Sequence, residues 1–159
     1  MSADIVAPEV RSRMMAGIRS RNTKPEIYVR SRVHRAGLRF RLHSPDLPGK
    51  PDLVLRRHRA VVFVHGCFWH RHPGCKHAYT PKSNARFWLR KLEGNAARDV
   101  LNQAALRAHG WRVFTVWECQ MDRGVDFVIT SLLGIPAEGS LPDARSPEAR
   151  RTHPHRTSR

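Results

Sequence analysis

The sequence predicts an α/β domain, a small mixed β-sheet flanked by helices. Three observations carry this expectation. The spacing of apolar residues switches between helical and alternating along the chain, the β-rich runs are short and bounded by turn residues, and the elements follow in the order helix, strand, hairpin, helix, strand, helix.

The first firm helix begins at Thr23. Thr23-Lys24-Pro25-Glu26 has the form of a capping box with proline in the first turn, and Val29, Val33 and Ala36 recur at helical spacing until Gly37 offers a stop. The period then becomes two, with Leu38, Phe40 and Leu42 alternating with Arg39, Arg41 and His43, which predicts a half-buried strand before the turn at Ser44 to Gly49. The runs Asp52 to Arg56 and Arg59 to His65 predict a hairpin, with Asp52 opening one strand and His65 closing the other. A helix is expected from about Asn84 to His109, interrupted near Gly94-Asn95 and stopped by Gly110. Trp111 to Cys119 then predicts a strand and Val125 to Leu133 a last helix.

At 159 residues with 40% hydrophobic content the chain suits one domain, expected over residues 1–135. Residues 1–20 form a basic segment, expected to be mobile until it meets a phosphate backbone. Residues 136–159, rich in Pro, Ser, Arg and His, lack the apolar residues to fold and are expected to be disordered. No apolar stretch is long enough to span a bilayer, and the N-terminus does not have the pattern of a secretion signal, so the expected location is the cytoplasm. The formal net charge of +16, from 29 Lys+Arg against 13 Asp+Glu, points to a polyanion, with nucleic acid as the default partner. That excess also narrows the search for catalysts, because the only acids between Val10 and Cys119 are Glu26, Asp46, Asp52, Glu93, Asp99 and Glu118.

The densest chemistry lies in His65-Gly-Cys-Phe-Trp-His-Arg-His-Pro-Gly-Cys75. In a reducing compartment three cysteines near histidines point to metal rather than disulfides. Cys67, His72 and Cys75 have ligand spacing, and Cys119, carried back by the last strand, would complete a tetrahedral Cys3His set, the closed geometry of structural Zn2+. With every ligand position filled by protein, that ion would hold structure, and the reaction must lie beside it. The competing reading is three buried small residues with surface histidines.

Pro51-Asp52 at a strand start, followed by a hairpin whose second strand ends at His65, resembles the restriction-endonuclease-like nuclease fold, in which a strand-borne aspartate binds Mg2+. Its usual acidic-x-Lys motif is absent, the following strand reading Phe63-Val64-His65. Thr23-Lys-Pro-Glu26, Leu47-Pro-Gly-Lys-Pro-Asp52, Val64-His-Gly-Cys-Phe-Trp-His70, Phe87-Trp88 and Gly110 to Cys119, in that order, are together similar to the very short patch repair endonucleases, over about residues 10 to 125. The resemblance implies a magnesium-dependent mismatch endonuclease that nicks one strand 5′ of the thymine in a T:G mismatch, starting repair of deaminated 5-methylcytosine.

It further implies that Asp52 binds the catalytic Mg2+, that His70 is or positions the general base, and that Glu26 and His65 support the hydrolytic centre. Val64 stands where the family has threonine and would offer the magnesium site its main-chain carbonyl. Phe68, Trp69 and Trp88 are expected to wedge between base pairs, with Phe87 in the core; Met15 would enter from the opposite groove, although Met14-Met15 equally suit a hydrophobic staple. Expected partners are double-stranded DNA carrying the mismatch and, functionally, a cytosine-5 DNA methyltransferase and mismatch-repair proteins. The chain is expected to act as a monomer at the nucleoid, with no membrane. The alternative is a catalytically inert zinc-containing protein that binds distorted duplex, and Asp52 separates the two.

Overall fold

The structure is a computed structural model that describes Val10 and residues 21–134; the rest of the basic N-terminal segment, Met15 included, and the tail lie outside the described residues. Helix α1 spans Lys24–Arg35, capped as its sequence dictates: the Thr23 hydroxyl accepts the Glu26 N–H at 3.4 Å, and the Glu26 carboxylate reaches back to the Asn22 N–H at 2.9 Å. The strands are β1 (Arg41–Leu42), β2 (Leu53–Leu55), β3 (Ala60–His65) and β4 (Arg112–Trp117), in the spatial order β1-β2-β3-β4. β1, β2 and β3 are antiparallel neighbours, whereas β3 and β4 run parallel, in a register that pairs Val64 with Val116 and His65 with Trp117. A parallel neighbour requires a crossover, which the loop after His65 and helix α2 (Ala85–Ala108) provide. Helix α3 (Met121–Leu133) closes the domain.

Alternation along the strands builds a core on each face of the sheet. Leu53, Leu55, Ala60, Val62 and Val116 meet Val29 and Val33 of α1 and Val125, Val128 and Leu132 of α3. Val54, Val61 and Phe63 point the other way, onto Leu106 of α2. With both faces covered, β2 is buried at all three positions, as a central strand should be. Arg32 of α1 bridges Asp122 and Asp126 of α3, fastening the two helices on one face. No helix among the described residues is long and apolar enough to cross a membrane.

Four boundaries depart from the expectation. The strand predicted from Leu38 pairs only at Arg41–Leu42, because β2 offers just three residues and His43 leaves the extended region at φ +46°. Helix α2 runs unbroken through Gly94-Asn95; a helical glycine costs about 1 kcal/mol, and the Asn95 side chain donates to the Trp69 carbonyl at 3.1 Å instead of competing with the helix backbone. β4 ends at Trp117, so Cys119 is carried by the 3-10 turn Glu118–Gln120 and not by the strand itself. α3 begins four residues early, at Met121, with Gly124 set against β4: a Cβ there would meet Val116 Cγ1 at 3.0 Å.

Candidate active site and metal cluster

The C-terminal ends of β3 and β4 hold two adjoining constellations. In the first, the loop after β3 folds on itself through backbone bonds from His70 N–H to the Gly66 carbonyl and from His72 N–H to the Cys67 carbonyl, each 3.1 Å. This brings His72 Nδ1 to 3.6 Å from Cys67 Sγ and 3.2 Å from Cys119 Sγ, while Cys75 and Cys119 place their sulfurs 3.8 Å apart. A tetrahedral ion with metal–sulfur bonds of about 2.3 Å has edges of about 3.8 Å, so the four atoms fit one ion. Burial pushes the Cys67 thiol up from its ordinary range, a cost that a bound cation would offset by holding the thiolate. The predicted set of Cys67, His72, Cys75 and Cys119 is thus brought together.

The second constellation lines an open cleft of about 980 Å³. Asp52 stands immediately before β2, and its Oδ2 accepts the Val64 N–H of β3 at 2.7 Å. Burial pushes its carboxyl up to about 6, with the Glu26 carboxylate contributing in the same direction. A carboxylate whose side chain is only 18% exposed, and whose ionised form is disfavoured there, suits a hard divalent cation. Glu26 is buried at 5% exposure but fully engaged, accepting from Asn22, Thr23 and Arg30.

On the opposite wall, His70 Nδ1 meets Asp99 Oδ2 at 2.6 Å, and its ring stacks on His65 at 3.8 Å between centroids, only 6° from parallel. A carboxylate partner fixes the neutral imidazole as the Nδ1–H tautomer and leaves Nε2 as the available base. Burial, and then the neighbouring His70, push His65 down to about 4, so it is neutral at pH 7. Arg21, Lys50 and Lys91 add positive charge to the same cleft.

Two cleft residues that join the predicted catalytic set, Asp99 and His43, were not singled out from the sequence. Asp99 was visible only as one of six acids, and nothing in the spacing joined it to His70, 29 residues away. His43, read as the polar side of a strand, stands with Glu26 and Asp52, all three offering ligand atoms within 4.8 Å of one another.

The aromatic residues form one cluster, with Phe68 against Trp69, Tyr79 and Trp88 at 5.0, 5.3 and 5.7 Å. Lys91 lies over Trp69, Phe87 and Trp88 at 5.7 to 5.8 Å from each ring centre. Phe68 and Trp69 are half-buried. The expectation for Phe87 is corrected: it is 50% exposed while its neighbour Trp88 is 8% exposed, because the phase of α2 turns Trp88 inward under Phe68 and Trp69.

The profile of the family described as DNA mismatch endonuclease Vsr matches residues 3–77. A type II nicking enzyme, V.XorIIP of Xanthomonas oryzae pv. oryzae, is 52% identical over 74% of this chain and 86% of its own length. V.NmeAIP of Neisseria meningitidis, also described as a type II nicking enzyme, is 43% identical over 74% of this chain and 84% of its own length. The DNA mismatch endonuclease Vsr of Escherichia coli is 40% identical over 75% and 76%. The class defined is that of endonucleases acting on DNA. Within it, the chain belongs to the Vsr family of DNA mismatch endonucleases.

Proposed function

We propose that the protein is a magnesium-dependent endonuclease that nicks one strand of duplex DNA 5′ of the thymine in a T:G mismatch, and so starts repair of deaminated 5-methylcytosine. The observation that carries the reading is the meeting, in one cleft, of Asp52 with a His70–Asp99 pair. Asp52, with the Val64 carbonyl beside it, would hold Mg2+, which supplies compensation for charge building on the phosphate oxygens. His70 Nε2 takes the proton from the attacking water, and Asp99 stabilises the imidazolium that results. His65 holds the His70 ring by stacking, and Glu26 supports the Asp52 side through Arg30 and His43. Arg21, Lys50 and Lys91 engage the DNA backbone. A binder without catalysis would have no use for a half-buried carboxylate at Asp52 whose ionised form is disfavoured, which weighs against the inert alternative.

The Cys67, His72, Cys75 and Cys119 cluster is assigned to one structural Zn2+, because thiolate and imidazole donors in a closed tetrahedron suit zinc better than magnesium. The helices on both faces of a mixed sheet, with Asp52 at a strand start, support a restriction-endonuclease-like fold lacking the motif lysine. Phe68 and Trp69 act as the wedge, whereas Trp88, expected to wedge with them, is 8% exposed and buttresses them from below. We assign residues 1–135 to one nuclease domain acting as a monomer at the nucleoid, on sites set by a cytosine-5 methyltransferase and handed on to mismatch-repair proteins. The test is nicking of T:G and T:A duplexes with and without Mg2+. Magnesium-dependent cleavage confined to the T:G duplex is expected, and inactivity under every condition removes the reading.

A further inference from the structure

His43 is held more tightly than an exposed strand residue needs to be. Arg30 Nη2 lies 2.9 Å from His43 Nε2 and 2.7 Å from Glu26 Oε2, while Nη1 lies 2.7 Å from Asn22 Oδ1. A guanidinium has only donors, so His43 Nε2 must present its lone pair, and the single proton of the neutral ring sits on Nδ1. That nitrogen lies 3.8 Å from Asp52 Oδ1, longer than a hydrogen bond and within reach of a small closure, whereas Oδ2 of the same carboxylate is already bonded to Val64. The backbone cooperates: the His43 N–H points to the Asp52 carbonyl at 3.4 Å, and the left-handed φ of +46° swings the ring into the cleft instead of continuing β1. Left-handed backbone is costly for a residue with a Cβ, and it is tolerated where the surroundings fix it.

We propose that His43 is a positioning residue for the hydrolytic centre: locked by Arg30 as the Nδ1–H tautomer, it directs that N–H at Asp52 Oδ1 and sets the carboxylate for a divalent cation. This rests on the reading of Asp52 as the metal carboxylate. An imidazole whose Nδ1 carries the proton and whose Nε2 accepts from Arg30 has no lone pair left, so His43 is not itself a ligand, despite its place beside Glu26 and Asp52.

Two substitutions separate the N–H from the backbone. His43→Asn keeps an N–H donor near the position of ring Nδ1 and accepts left-handed φ; His43→Gly accepts that φ still more readily but removes the donor. Each is measured in the full-length, zinc-loaded protein by Mn2+ binding followed by electron paramagnetic resonance, and by the Mg2+ dependence of nicking at saturating DNA. His43→Asn should bind Mn2+ nearly as wild type does, and His43→Gly should bind it about 10-fold more weakly or worse, with the Mg2+ requirement raised in step. Equal binding by His43→Gly and wild type, or equal weakening of both variants, overturns the proposal. Asp52→Asn is the control for the underlying reading: if it binds Mn2+ as well as wild type does, Asp52 is not the metal carboxylate, and that reading falls with this one.

Discussion

His65 and Trp117 are register partners at the ends of β3 and β4, and their rings meet edge to face at 5.2 Å. The other side of the relationship is His72, which stacks on the same indole at 4.2 Å between centroids, 11° from parallel. One ring therefore separates the metal cluster from the cleft, and His65 in turn carries His70. A disturbance of the cluster should be felt at the His65–His70 wall of the cleft.

The cluster gives the first prediction. Purified protein should hold about one zinc per chain, and Cys119→Ser should lose the zinc together with cooperative unfolding, because an ion held by these four residues would close the loop after β3 onto the turn after β4. Zinc content by atomic absorption and melting by circular dichroism check this; a zinc-free protein that melts as sharply as the loaded one contradicts it.

The raised carboxyl of Asp52 makes a prediction about stability. In the unfolded chain the group titrates near pH 4, and in the fold at about 6, so the fold favours the protonated form. The stabilisation is fully present below pH about 4, is lost as pH rises through about 6, and leaves ionised Asp52 a net burden above it. Asp52→Asn should therefore abolish nicking while making the magnesium-free protein more stable at pH 7.5, by about 1 to 3 kcal/mol. Mg2+ should raise the wild-type melting temperature and leave that of the variant unchanged. A variant less stable than wild type at pH 7.5 would show that the buried charge is already compensated.

The His70–Asp99 pair predicts a split between rate and affinity. In Asp99→Asn the amide oxygen can still accept from His70 Nδ1, but the charge that stabilises the imidazolium is gone, so kcat should fall by about 100-fold or more with DNA affinity retained. Single-turnover nicking together with binding measured without metal distinguishes the two; an unchanged rate would exclude Asp99 as the group that stabilises the imidazolium.

Trp69 and Trp88 should respond differently despite sharing one cluster. Wedging costs a few kcal/mol of unstacking and is cheapest at an imperfect pair, whereas phosphate contacts ignore sequence. Trp69→Ala should lower the preference for T:G over T:A duplex more than it lowers non-specific binding, with a modest change in melting. Trp88→Ala, at an 8% exposed position, should cost about 3 kcal/mol or more of stability. Binding constants for both duplexes at several salt concentrations test this, and equal weakening on both duplexes by Trp69→Ala contradicts the wedge.

What could be read from the sequence follows the range of each signal. The α1 cap, the β2–β3 hairpin and the Cys/His set rest on neighbours within a few residues, or on Cys119 being the one cysteine left over, and all three are present. Asp99 was out of reach because its partnership with His70 depends on how α2 lies across the sheet. The orientation of Phe87 and Trp88 was likewise open: α2 also exposes Leu89, Val100 and Leu101, so its apolar residues do not mark a single buried face. His43 was hidden by a regular alternation that its own left-handed φ breaks.

The most direct test of the account maps the cut. A duplex with one T:G mismatch, labelled separately on each strand, is incubated with zinc-loaded protein and Mg2+, and the products are sized against a sequence ladder, with Asp52→Asn alongside. A single nick 5′ of the mispaired thymine, on that strand only, with an intact duplex in the variant reaction, is the predicted result. Cleavage of both strands, cleavage independent of the mismatch, or activity retained by Asp52→Asn would contradict it.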